Sequence, residues 1–333
     1  GVTAARTLTL GGTNTGDNRI ASAIIDNNTV GGGTISIIKE GAGKWILSGT
    51  NTYTGTTTIN AGTLSISDET NLGAPGASAA NALDINGGTR NTSATSTIDD
   101  ANRGVAATNG TIDTDASTTV TIDNVIAGTT LNKTGAGTLA LGNASNTFTG
   151  LDVQAGTVQL NVADAIPTTA SVVVGASSGN ATLDLNGFDQ TVDGITLGAA
   201  SPASGSLPSS VVGAGTLNLN NTLTYNAGGG GALDNGGATI SSNVNLGTGN
   251  RQIVVNDSSN AADDLTISGV VSGSNLWIKS GDGTLVLSNS GNNYSGSTFL
   301  REGTIKVGGN EGLSSASTIV FQSAGTGTTA PSS

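Results

Sequence analysis

The residues able to do chemistry in this chain are its acids, and they are few. Among 333 residues there are 23 Asp and Glu and 11 Lys and Arg, with neither His nor Cys. Nucleophile systems of the Ser-His-Asp or Cys-His kind are therefore excluded, as are zinc sites built on His or Cys. What remains is carboxylate chemistry: an acid pair that cleaves glycosidic bonds, or a cluster that holds a hard cation. The candidates are Asp99–Asp100, with Arg103 close by, and Asp263–Asp264. Neighbouring residues on a strand point to opposite faces, so such a pair meets in space only at a turn. The Gly-Gly-x-Gly-x-Asp calcium repeat is also missing. Gly41-Ala42-Gly43-Lys44-Trp45 looks like a phosphate loop, but it lacks the first Gly and the Ser or Thr after Lys. The expectation is exposed turn acids, no catalytic residue and no cofactor, with Ca2+ the one cation left open.

The elements that would position these residues are short strands. Runs such as Thr7–Leu10, Thr63–Ile66, Thr138–Leu141, Thr182–Leu185, Thr216–Leu219 and Thr284–Leu287 alternate in polarity, and clusters of Gly, Asn, Asp and Ser separate them. No stretch has helical periodicity with caps. Gly is abundant, at 52 residues, but the chain is 35% hydrophobic and only 10% charged. A disordered chain would be more charged and poorer in β-branched residues, so the chain reads as folded and all-β. Repetition favours a right-handed parallel β-helix, one continuous solenoid over 1–333, above a stack of antiparallel sheets. At roughly 20–25 residues per coil it would have about fifteen coils and a length of about 70 Å. Irregular loops are expected near 199–210 and 226–237, where Pro202, Pro208 and the run Gly228–Gly231 fall.

The net charge of −12 argues against nucleic acid and anionic membrane surfaces. No run approaches the roughly 18 apolar residues of a membrane helix. The chain has no Met, so Gly1 is read as a processed start left by removal of a secretory signal.

Three stretches repeat one pattern, within units at 20–73, 122–167 and 267–314. Lys39, Lys133 and Lys279 open it. Gly41, Gly135 and Gly281 follow, then Gly43, Gly137 and Gly283. An aromatic comes next (Tyr53, Phe148, Tyr294), then Gly55, Gly150 and Gly296. Gly62, Gly156 and Gly303, each followed by Thr, close it. Lys-x-Gly-x-Gly-x-Leu, then Asn-Thr-Tyr-Thr-Gly, then Ala-Gly-Thr-Leu resembles the autotransporter-associated β-strand repeat, also called the passenger-associated transport repeat. The resemblance implies a β-helix secreted to a bacterial surface: a released passenger, a fragment of one, or a stand-alone subunit.

The glycines are expected at corners with positive φ, and the aromatics packed on the rod, with sugar stacking as the alternative. The lysines either stand on a solvated face or meet a strand-end carbonyl or a carboxylate. For function, the leading expectation is a subunit of an extracellular filament or surface layer that pairs with itself head to tail. Its open edges would be Val2–Leu10 and Ser317–Phe321. The alternative is an adhesin-like passenger that binds glycans or host proteins. A polysaccharide-active enzyme is the distant third.

Overall fold

The computed structural model describes residues 5–26, 33–76, 79–175, 180–198, 208–228, 236–308 and 312–322. Every strand pairing among them is parallel, and the only helix among them is the single 3-10 turn Glu69–Leu72. A parallel pair needs a crossover, and here each crossover is the remainder of one coil. The chain therefore winds as a β-solenoid.

Its coils have up to three faces. One is a continuous 14-stranded sheet running from Asn18–Ile20 to Ile319–Phe321. The second is a 10-stranded sheet between Ser96–Ile98 and Thr304–Val307. The third carries a six-stranded sheet from Arg6–Leu10 to Ile126–Gly128, and farther along a four-stranded one from Gln190–Val192 to Val271–Ser272. With strands about 4.8 Å apart, fourteen rungs make a rod of about 60 Å, somewhat shorter than expected from the sequence. Coil length varies more than expected, from nineteen residues, where Thr138 lies opposite Thr157, to thirty, where Leu223 lies opposite Ile253. Most of each expected loop, over 199–207 and 229–235, lies outside the described residues, as do Val2, Thr3 and Ala4 of the first edge run.

The core is a set of stacked columns. Strand alternation sends every second side chain inward, and exact register places each above its counterpart one coil earlier. In the long sheet Leu131, Leu151, Val172, Ile195, Leu223 and Ile253 form one such column, all buried. Lys279 is next in that column, and it too is fully buried.

Candidate functional site

Lys279 belongs to the repeated pattern, and its two counterparts share its fate: Lys39 and Lys133 are also 0% exposed. Each is an inward residue, two places after Ile37, Leu131 and Trp277 on their strands. The stem fills a core position and the ammonium reaches a corner lined with backbone carbonyls. Lys39 Nζ donates to the carbonyls of Glu40 (2.8 Å), Gly41 (2.7 Å) and Ala61 (2.9 Å). Lys133 Nζ donates to Thr134 (2.6 Å), Gly135 (2.8 Å) and Ala155 (3.1 Å). Lys279 Nζ donates to Ser280 (3.0 Å), Gly281 (2.6 Å) and Glu302 (3.2 Å). An ammonium has three donors, and all three are used. Two of the carbonyls lie just after the lysine; the third is on the next coil. Each lysine therefore ties one coil to the next without a carboxylate partner. Burial pushes the Lys133 and Lys279 ammonium groups down to about 8, opposed by the nearby carboxylates of Asp113 and Asp264 respectively.

The closing glycine makes room for this ammonium. Gly62, Gly156 and Gly303 have φ of 62°, 70° and 68°. A Cβ there would meet the lysine Nζ at 2.7, 2.8 and 2.7 Å and would also strike the carbonyls of the two earlier motif glycines. Gly41, Gly135 and Gly281 also have positive φ, but Gly43, Gly55, Gly137, Gly150, Gly283 and Gly296 do not. Half of the motif glycines are thus not corner residues in the expected sense. At Gly43, Gly137 and Gly283 the requirement is closeness, because a Cβ would run into a backbone oxygen of the preceding coil. Gly150 is looser, with Thr130 Oγ1 3.1 Å from the Cβ position.

The pattern spans two coils, since Lys133 lies opposite Val153 and Thr138 opposite Thr157. A further residue type holds these coils together. Two places before each motif aromatic stands an Asn. Asn146 Oδ1 accepts from the Ile126 amide (2.7 Å) and its Nδ2 donates to the Ala165 carbonyl (2.9 Å). Asn292 does the same between Val271 (2.7 Å) and Gly312 (2.7 Å). Asn51 joins Ile24 (2.8 Å) to Asn71 (2.5 Å). Each amide bridges the coil below to the coil above. The aromatics beside them are core residues: Tyr53, Phe148 and Tyr294 are 0–1% exposed, and Trp277 meets Tyr294 edge-on at 5.7 Å. None of the three rings is open to a sugar.

The acids do not gather. Arg103 pairs with Glu69 (2.8 Å) and with the carbonyls of Leu72 and Gly73, and makes no ion pair with Asp99 or Asp100. Asp100 closes a turn on the Asn102 amide. Asp264 is buried and accepts from the Ser258 (2.7 Å) and Thr284 (2.8 Å) amides, while its neighbour Asp263 pairs with Lys306 (3.0 Å). Among the described residues no three acids converge on a point where a metal ion could sit. A surface concavity of about 600 Å³ is lined by Asn81, Asn102, Asp123, Asn124 and Asn143 beside Arg103, with Val125 and Ala127 as its apolar part.

The lysine cage, the closing glycine and the bridging Asn occur together three times, and they coincide with a known unit. The model of the passenger-associated-transport-repeat matches residues 37–66, 131–160 and 278–307. The chain carries three passenger-associated transport repeats. Among curated proteins it is 40% identical over 152 residues to the adhesin BmaC autotransporter of Brucella suis biovar 1 (strain 1330), a match that covers 45% of this chain. The chain spans about 4% of that relative's length. No solved structure matches the chain significantly.

Proposed function

We propose that this β-solenoid is a segment of a bacterial surface passenger whose task is adhesion: an extracellular, non-enzymatic rod that holds contact surfaces away from the cell. The observation that supports this most is the two-coil unit with its buried lysine, which occurs three times and matches the repeat of secreted passengers each time. The similarity to an autotransporter adhesin points the same way. Filament assembly, the leading expectation from the sequence, has no comparison in its favour, so the adhesin reading takes its place.

The groove of Asn81, Asn102, Asp123, Asn124 and Asn143 is the surface we assign to contact. The amides of Asn143 and Asn124 are engaged within the protein, but the exposed amides of Asn81 and Asn102 each present a donor and an acceptor side by side, which suits the hydroxyl groups of a glycan. The whole chain, fluorescently labelled, should bind host-cell surfaces or immobilised glycans. Asn81→Ala and Asn102→Ala together should abolish most of that binding without moving the melting temperature. Full binding by the double variant would remove the groove from the proposal. Micrometre filaments in negative stain, with no binding to any surface, would restore the filament reading.

A further inference from the structure

One level of the core departs from the aliphatic columns. In the long sheet, Arg90 sits between Leu64 and Ile112 in register, and Thr92 lies between Ile66 and Thr114. Arg90, Thr92 and Thr114 are all 0% exposed. Ser96, on the 10-stranded sheet, and Arg103, on the six-stranded sheet, are also buried at this height. All three faces of the solenoid therefore turn a polar side chain inward over the same two coils, where the coils below place Leu64 and Ile66.

This cluster is unevenly satisfied. Arg103 has Glu69 and two carbonyls. Glu69 is fully engaged, because its oxygens also accept the Asp99 and Asp100 amides. By contrast Nε, Nη1 and Nη2 of Arg90 have no hydrogen-bond partner among the described residues, and neither do the hydroxyls of Thr92, Ser96 and Thr114. Burial pushes the Arg90 guanidinium down to about 10, with Glu69 opposing and Arg103 adding to the shift, so it keeps its proton at neutral pH. Two guanidinium charges thus share one carboxylate. An uncompensated buried charge is strongly destabilising, and Met or Leu would fill the same column without that cost. The unmet groups have one thing in common: all can donate to a negative charge.

We propose that Arg90, with the Thr92 and Thr114 hydroxyls, holds a small monovalent inorganic anion of the halide class inside the rod. A single negative charge brings the cluster to neutrality and gives the guanidinium an acceptor. The site is closed to exchange from the surface, so the anion enters as the coils wind and becomes part of the folded state. Folding is then linked to the ambient anion by mass action.

The whole chain tests this when refolded from denaturant in sodium chloride or in sodium gluconate at equal ionic strength, gluconate being too bulky for the core. Chloride should raise the denaturation midpoint, and the unfolding constant should fall by up to tenfold for each tenfold rise in chloride above the dissociation constant. Arg90→Met should remove this dependence. Crystals grown in sodium bromide should show an anomalous peak within hydrogen-bonding distance of the Arg90 guanidinium in the unaltered chain, a readout that does not require the variant to fold. Equal midpoints in the two salts, or ordered water beside Arg90 with no bromide peak, would overturn the proposal.

Discussion

The first transport repeat and the two later ones have the same local structure on different faces of the rod. Lys39 lies in the six-stranded sheet and the strand that follows it, Lys44–Leu47, in the long sheet. Lys133 and Lys279 lie in the long sheet, and the strands that follow them, Thr138–Leu141 and Thr284–Leu287, lie in the 10-stranded one. The unit has been turned by one face. Even so, the ammonium meets the same three carbonyls in all three copies and the closing glycine has nearly the same φ. The pattern therefore specifies a corner and the coil above it, not a direction around the rod. That follows from its physics, because every group in the cage comes from the unit's own two coils. It also means that the three units do not line up as one binding stripe, so contact is assigned to a single local groove, which takes Asn143 from the second repeat and its other residues from the coils before it.

The closing glycine should be the most sensitive position of each unit. Gly156→Val would force a β-branched residue into positive φ and drive its Cβ into the Gly135 carbonyl and toward Lys133 Nζ. Backbone strain and the lost cage together should cost about 3 kcal/mol or more. Gly62→Val, on the other face, should cost nearly the same, since its surroundings match. Chemical denaturation of the two variants measures this. A difference of more than about 1 kcal/mol, beyond ordinary site-to-site scatter, would mean that the face does matter.

Removing the ammonium should have a smaller effect. Lys133→Met keeps most of the stem and leaves three buried carbonyls without their donor, so about 2–3 kcal/mol should be lost. Lys39→Met should cost less, because Lys39 lies one rung from the first strand, Arg6–Leu10, and fewer coils cover it. Equal losses would show that cage geometry alone sets the energy; the expected gradient would show that depth in the rod contributes.

Much of this was legible in the residues, and the gaps have physical causes. Alternation in runs such as Thr-Leu-Ala-Leu identified strands, because burial on one face leaves that mark, and the repetition pointed to their parallel stacking. The burial of the lysines was legible too: in Thr130–Thr134, Lys133 shares the inward face of Leu131. That signal lost to the general rule that Lys is almost never buried, a rule that does not anticipate a cage of carbonyls. Asn51, Asn146 and Asn292 stand at a fixed distance before the aromatic, yet Asn in a loop reads as an ordinary turn former. The turn of the first unit by one face had no signal at all. Coils of nineteen to thirty residues break any conversion from sequence spacing to position around the rod. Nor did anything in Thr89–Thr92 suggest that Arg90 points into the core.

The buried lysines should also make the stability of the rod depend on pH. A lysine whose ammonium is held at about 8 in the folded rod returns to about 10.5 when the chain unfolds. Below pH 8 both states are protonated and stability is flat. Between pH 8 and pH 10 the folded lysine is neutral while the unfolded one still binds its proton, so stability should rise with pH. Each group adds at most about 1.4 kcal/mol per pH unit. Lys133 and Lys279 should both contribute, and Lys133→Met should remove about half of the slope. Near pH 10 the gain is opposed by Tyr53, which burial pushes up to about 12 in the folded state, so that its ionisation favours the unfolded chain. Denaturant midpoints measured every half unit from pH 7 to pH 10 would reveal the slope. A flat profile would mean that the three carbonyls hold the ammonium as well as water does. The cage would then be a true replacement for solvent, equally so on every face of the rod.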